Sequence, residues 1–102
     1  MSDASTPEVV VVVKFRSRLS VDEVDRRFRE RMPKFRELPG LIQKYYFHDD
    51  ATGEWGGIYV WDSQESVERY MASDLRQSIP AAYEIDGAPR VESLSVVETL
   101  RT

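Results

Sequence analysis

Residues Val9 to Phe15 read VVVVVKF, five valines in succession before the first charge. Side chains branched at Cβ lose freedom in a helix and pack well on a pleated surface, so the run is a strand. Strand side chains point alternately to opposite faces, so an unbroken apolar run puts valine on both sides of its sheet. A sheet with one wet face would leave half of these valines in water. Both surfaces of the sheet therefore need cover.

The rest of the chain supplies cover for one of them. Ser20 opens SVDE, a capping box in which Glu23 reaches back to the cap. Val21, Val24, Phe28, Phe35 and Leu38 then recur at helical spacing with Met32 beside them, opposite Asp25, Arg26, Arg29, Glu30 and Arg36. The spacing predicts an amphipathic helix over about 21–38, kinked or split near its end by Pro33 and stopped by Pro39-Gly40. Strands are predicted over 41–49 and 54–62, joined by a turn at DATG. Asp62 opens DSQE, a second capping box, and Val67, Tyr70 and Met71 give the next helix its inner face. Leu75, Ile79 and Tyr83 continue that face, with a break or second short segment near Pro80. A turn at Asp86-Gly87 precedes a final strand over 90–100.

This β-α-β-β-α-β order gives an α+β, ferredoxin-like fold with a four-stranded antiparallel sheet and both helices on one face. Residues 1–7 read as a disordered polar tail and 8–102 as one domain. The other sheet face would be a large exposed apolar patch, and a second copy packed sheet to sheet removes it. A two-fold homodimer is the expected assembly.

The second and third strands concentrate chemistry. If the turn centres on Ala51-Thr52, His48 pairs with Trp55, Tyr46 with Gly57, Lys44 with Tyr59 and Ile42 with Trp61. One face then holds Ile42, Lys44, Tyr46, His48, Trp55, Tyr59 and Trp61, and the other Leu41, Gln43, Tyr45, Phe47, Ile58 and Val60. The first face is polar and aromatic. Tyrosine and tryptophan offer flat surface with one hydrogen-bonding tip each. A lysine among them stabilises an anion, or acts as a base if burial lowers its pKa. Gly57, opposite Tyr46, leaves open floor, and the surface suits a planar phenolic or quinoid ligand. The competing reading is that these rings are core or dimer interface and that Lys44 snorkels to solvent.

Other chemistries find little support. The chain has no cysteine and one histidine, so thiolate chemistry is excluded and His48 beside Asp49 and Asp50 lacks the convergent ligands of a transition-metal site. No glycine pattern resembles a dinucleotide or phosphate loop, and no cofactor or metal is expected. The net charge is -4, with acids and bases interspersed, which argues against nucleic acid. No apolar run is long enough for a membrane span, and a cytoplasmic protein is expected.

At PGLIQKYYF and GGIYVWDSQESVERYMASDL the chain resembles the dimeric α/β-barrel superfamily, and within it the YdhR-type monooxygenases, near the antibiotic-biosynthesis monooxygenases. The features that carry the likeness are Pro39-Gly40, Lys44, the run Gly56 to Tyr59, the helix start after Trp61, and Tyr70. The resemblance implies a homodimer that closes a barrel between two sheets. It also implies oxidation of a phenolic or quinol-type substrate by molecular oxygen without metal or flavin. On that likeness Lys44 would stabilise a phenolate or enolate, Tyr46, Tyr59 and Tyr70 would donate hydrogen bonds, and Trp61 would form a wall. His48 and Trp55, on the same face, join the set as substrate-binding residues. Haem-degrading relatives use a histidine on the second helical segment; here that segment reads SDLRQSIPAAYEI, with none. Further relatives isomerise lactones or have no known chemistry, and a non-catalytic small-molecule-binding or stress-associated domain and a lactone-isomerase-like proton-transfer enzyme both stay open beside the oxygenase reading.

Overall fold

The computed structural model describes residues 6–101. Most of the tail expected over 1–7 lies outside the described residues; Thr6 and Pro7 carry no regular structure. The valine run forms β1 (Val9–Ser17), and the chain continues as α1 (Val21–Arg36), β2 (Leu41–Asp49), β3 (Glu54–Trp61), α2 (Gln64–Met71), α3 (Asp74–Gln77), α4 (Ile79–Ala82) and β4 (Ile85–Ser95). The strands make one antiparallel sheet in the order β2-β3-β1-β4, the ferredoxin-like arrangement. β1 is thus central, as its sequence requires. Val9, Val11, Val13 and Phe15 are buried under the helices, whereas Val10 and Val12 are half-buried on the other face.

Ser20 caps α1 by accepting the Glu23 backbone N–H at 3.2 Å. The Glu23 carboxylate does not complete the box; it takes Arg26 and, at 2.7 Å, Arg27. α1 also runs unbroken through Pro33. Pro33 and Arg29 are exposed, so the carbonyl left without an N–H partner lies on the hydrated side, where the defect costs least. Val24, Phe28 and Phe35 are its buried stripe.

The hairpin turns at Gly53, whose φ of +78° is left-handed and whose N–H donates to the Asp49 carbonyl at 2.7 Å. From there His48 faces Trp55, Tyr46 faces Gly57 and Lys44 faces Tyr59, the register read from the sequence. It departs from that reading at Ile42. Leu41, not Ile42, faces Trp61, and Gln43 faces Val60, so Ile42 is an extra residue in β2. The Gly40 carbonyl accepts the Asp62 N–H at 2.9 Å, which ties the start of β2 to the end of β3 across that bulge. Leu41 thereby joins the helix-side core.

The second helical region is three short pieces rather than one helix broken near Pro80. Ser73 ends the run of α2: its hydroxyl donates to the Tyr70 carbonyl at 2.6 Å and accepts the Arg76 N–H at 3.2 Å, capping α3. Pro80 sits in the first turn of α4, where it is tolerated. Ser63, not Asp62, caps α2, and Asp62 instead accepts the Ser66 hydroxyl at 2.7 Å. β4 begins five residues earlier than its apolar pattern suggested. Asp86 pairs with Arg16 inside the strand, and Gly87, with a φ of +81°, absorbs a register shift in place of a turn. Val97 and Leu100 lie beyond the strand's end and are exposed.

Helices cover one face of the sheet only. The open face carries Val10, Val12, Tyr45, Phe47, Ile58, Val60 and Leu94. At one end of this face Glu54, with a side chain only 4 % exposed, accepts two hydrogen bonds from Arg90 at 2.8 and 3.1 Å. Lys14 lies 3.8 Å from it and pairs with Asp49 at 2.5 Å. These cations hold both carboxyls below the usual range, Glu54 through Arg90 first and Asp49 through Lys14 first, Asp49 to about 2.

Candidate functional site

The pairing of β2 with β3 sets Lys44, Tyr46, Gly57 and Tyr59 side by side beneath α1. Lys44 Nζ lies 3.4 Å from the ring centre of Phe35, 4.3 Å from that of Tyr46 and 4.4 Å from that of Tyr59. The box exists because Gly57 has no side chain: a Cβ there would come within 3.1 Å of both Lys44 Cε and Tyr59 Cε1. Among the described residues the Lys44 amine has no carboxylate partner. Three ring faces attract an ammonium by about 0.5–2 kcal/mol each at most. Lost hydration outweighs that attraction. Burial, with a smaller push from the Arg31 charge, lowers Lys44 from 10.5 to about 6, so the amine is neutral at pH 7.

The phenols around it go the other way. Burial raises Tyr46 to about 12, Tyr83 to about 12, Tyr70 upward and Tyr59 well above its usual value. They stay protonated and serve as donors. Tyr59 and Tyr70 hydroxyls lie 3.4 Å apart, a long contact that leaves at least one O–H free for a better acceptor. One lysine ready to take a proton beside several phenols ready to give hydrogen bonds is an arrangement for making and holding an oxyanion.

The lysine is reachable. A cavity of about 380 Å³ opens beside it, lined by Met32, Phe35, Arg36, Leu41, Ile42, Gln43, Lys44 and Tyr46, a volume suited to a small aromatic molecule. A much smaller space of about 20 Å³, enough for one water, lies deeper among Phe15, Phe28, Gly57, Ile79 and Tyr83. Lys44 and Tyr46 line both. The Tyr83 hydroxyl and Arg31 Nε are buried without a hydrogen-bond partner in this region. Arg31 is otherwise held by the Ser78 hydroxyl at 2.8 Å and stands 5.6 Å from the Tyr83 ring centre.

The structure thus brings together Lys44, Tyr46, Tyr59 and Tyr70. Trp61 stands behind them, fully buried, with its ring 3° from parallel to Tyr59 at 6.3 Å and 5.3 Å from Tyr70; it lines neither cavity. His48 and Trp55 lie at the turn end of the hairpin. Their rings are 4.2 Å apart, His48 Nδ1 meets Asp50 at 2.8 Å, and Trp55 packs edge-on to Phe28. Neither lines a cavity.

Sequence reasoning missed the contribution of α1. Phe35 reads as core and Arg36 as solvated face, yet Phe35 forms the roof of the lysine box and Arg36 lines the cavity. The signal was present for Arg31. It lies three residues after Phe28 and four before Phe35, which puts it on the buried stripe. Tyr83 likewise continued an apolar spacing, and its unpartnered hydroxyl has no sequence signature.

Comparison with known proteins bears on this geometry. Residues 10–99 match the family model described as "Putative mono-oxygenase ydhR". Among solved structures the chain is similar to SnoaB, a cofactor-independent oxygenase from Streptomyces nogalater, with a TM-score of 0.74 and 17% identity over 95% of this chain and 100% of that one. It is also similar to a protein from Caulobacter crescentus CB15 described as a "putative antibiotic biosynthesis monooxygenase", with a TM-score of 0.75 and 19% identity over 93% and 94% of the two chains. At such identities the likeness shows the fold. A curated relative, N-(5'-phosphoribosyl)anthranilate isomerase of Geobacillus thermodenitrificans, is 31% identical over 75 residues, 74% of this chain and 34% of that protein. The chain spans about a third of the length of that relative.

Proposed function

The chain belongs to the ydhR mono-oxygenase family, and on that premise we propose that it is a cofactor-independent monooxygenase of a small aromatic, quinol-type substrate. The single observation that carries this reading is the Lys44 amine, without a carboxylate partner among the described residues and boxed by Phe35, Tyr46 and Tyr59, at the wall of a cavity of about 380 Å³, where burial lowers its pKa to about 6. The roles follow from the chemistry of those groups. Lys44 takes the phenolic proton of the substrate. Tyr46 and Tyr59, with Tyr70 behind, donate to the resulting oxyanion, and the new ammonium pairs with it. The electron-rich ring gives one electron to dioxygen, and the radical pair combines to form a carbon–oxygen bond. The ring carbon then loses its proton as the O–O bond breaks, leaving a quinone carbonyl, and the departing hydroxide takes the Lys44 proton as water. One phenol and one dioxygen give one quinone and one water. Trp61 supports this site from behind, while His48 and Trp55 pack on each other at the far end of the same sheet face, outside the cavity.

The reading includes a homodimer built on the open sheet face, supported by the seven apolar residues grouped there. It includes a cytoplasmic location, supported by a composition without cysteine. Oxygen uptake with a panel of dihydroxynaphthalenes tests the reaction. Turnover with one atom of ¹⁸O₂ appearing in the quinone is expected, and its loss by about 10²-fold or more in Lys44→Met. Ligand binding without oxygen uptake by any of the panel would make the protein a binding module instead.

The same neutral amine favours a second reading, a proton-transfer enzyme that isomerises a lactone or related carbonyl compound. That reaction proceeds under argon; the oxygenase reaction does not.

A further inference from the structure

The charges around the cavity are unevenly paired. On α1, Arg26 pairs with Glu23 and Glu30, Arg27 with Glu23, and Arg29 with Asp25. Arg31 and Arg36, the two arginines turned toward the site, have no carboxylate partner among the described residues: Arg31 meets Ser78 and the Leu75 carbonyl, and Arg36 only the Met32 sulfur at 4.0 Å. Lys44 also lacks one. No acidic side chain lines the cavity, although acids outnumber bases 18 to 14 in the chain. Arg36 on the cavity wall and Arg31 near Lys44 carry positive charge that no acid there offsets, in an acidic protein, while the Lys44 amine itself is neutral, and a ligand that brings negative charge supplies the missing partner. The remaining lining, with Met32, Phe35, Leu41 and Ile42, suits an apolar ring.

Arg36 stands at the exposed end of α1, where a guanidinium can take both oxygens of a carboxylate while the ring lies inward. We propose that the cavity selects aromatic acids, compounds with a carboxylate beside the phenol, and that Arg36 is the specificity residue that binds the carboxylate. The phenol end of this inference rests on the oxygenase reading; the carboxylate end does not.

Equilibrium binding at pH 7 and low salt, followed by ligand fluorescence, tests it with 2-naphthol against 3-hydroxy-2-naphthoate and 6-hydroxy-2-naphthoate. At least one of the acids binds about tenfold or more tighter than 2-naphthol, the scale of one charge-assisted hydrogen-bonded pair. Arg36→Gln removes that preference, lowering the affinity for the acid by far more than the affinity for 2-naphthol. Arg36→Lys keeps part of it, and Lys34→Gln, an exposed cation two residues away that lines neither cavity, keeps all of it. Equal affinities in the wild type, a preference that survives in Arg36→Gln, or one lost equally in Lys34→Gln would each overturn the proposal. Because the readout is binding, the two ideas fail separately. Oxygen uptake with 2-naphthol-like compounds and no preference for acids removes Arg36 selection alone. A preference for acids without oxygen uptake removes the oxygenase alone.

Discussion

β1 and β3 present two surfaces built from the same strands, and the surfaces differ in kind. Under the helices lie Val11, Val13, Tyr59 and Trp61, buried, with Lys44 inserted among rings. On the opposite side lie Val10, Val12, Ile58 and Val60, half-buried, without a helix over them, with Lys14, Glu54 and Arg90 at one end and Glu92 beside Val12. The difference teaches where chemistry can be kept. A cavity needs a roof that excludes water yet leaves an opening, and only the helix side has one. The open side has aliphatic area around a broad, unroofed hollow of about 810 Å³ between Val12, Phe47 and Ile58, which is the material of an interface.

Substitutions on the two faces should therefore fail in different ways. Trp61→Ala removes a fully buried ring and should cost about 3–5 kcal/mol of stability in urea unfolding. A loss below about 1 kcal/mol would show that the helix face is not the core. Lys44→Met should act in opposite directions on activity and stability. Unfolded, the lysine has its ordinary pKa of 10.5; folded, about 6. Between these values the unfolded chain binds the extra proton, so the native lysine destabilises the fold at pH 7, and stability should rise with pH from about 6 to 10.5. Lys44→Met should then raise Tm by about 4 °C or more, the shift for roughly 1 kcal/mol in a domain of this size, and flatten that pH dependence, while turnover falls. Equal loss of both would make Lys44 a structural residue. In the wild type, kcat/KM should climb as pH rises through about 6, where the amine loses its proton. Gly57→Ala is the finest probe: its methyl meets Lys44 Cε and Tyr59 Cε1 at 3.1 Å, so ligand affinity should fall several-fold, on the order of 1 kcal/mol, with little change in fold.

Much of this comparison was legible in the sequence because strand parity is a strict rule. Once the turn at Asp50–Gly53 was placed, the company of Lys44, Tyr46 and Tyr59 followed, and the structure keeps it. What parity cannot see is an inserted residue. The bulge at Ile42 moved Leu41 to the core, and the shift at Gly87 turned an expected turn into strand. The helical side was less legible for a different reason. Arginine has a long apolar stem, so Arg31 on the buried stripe and Arg36 on the cavity look in sequence like any solvated cation. Local capping was likewise ambiguous where Asp62, Ser63 and Ser73 all offer oxygens, and tertiary contacts chose among them.

The central claim is that the open face is covered by a second copy of the chain. Sedimentation equilibrium from nanomolar to micromolar concentration, on the wild type and on Ile58→Asp, tests it most directly. The account predicts a wild-type dimer, and an Ile58→Asp chain that sediments as a monomer while its circular dichroism stays native. A wild-type protein that is fully folded and monomeric across that range would contradict it.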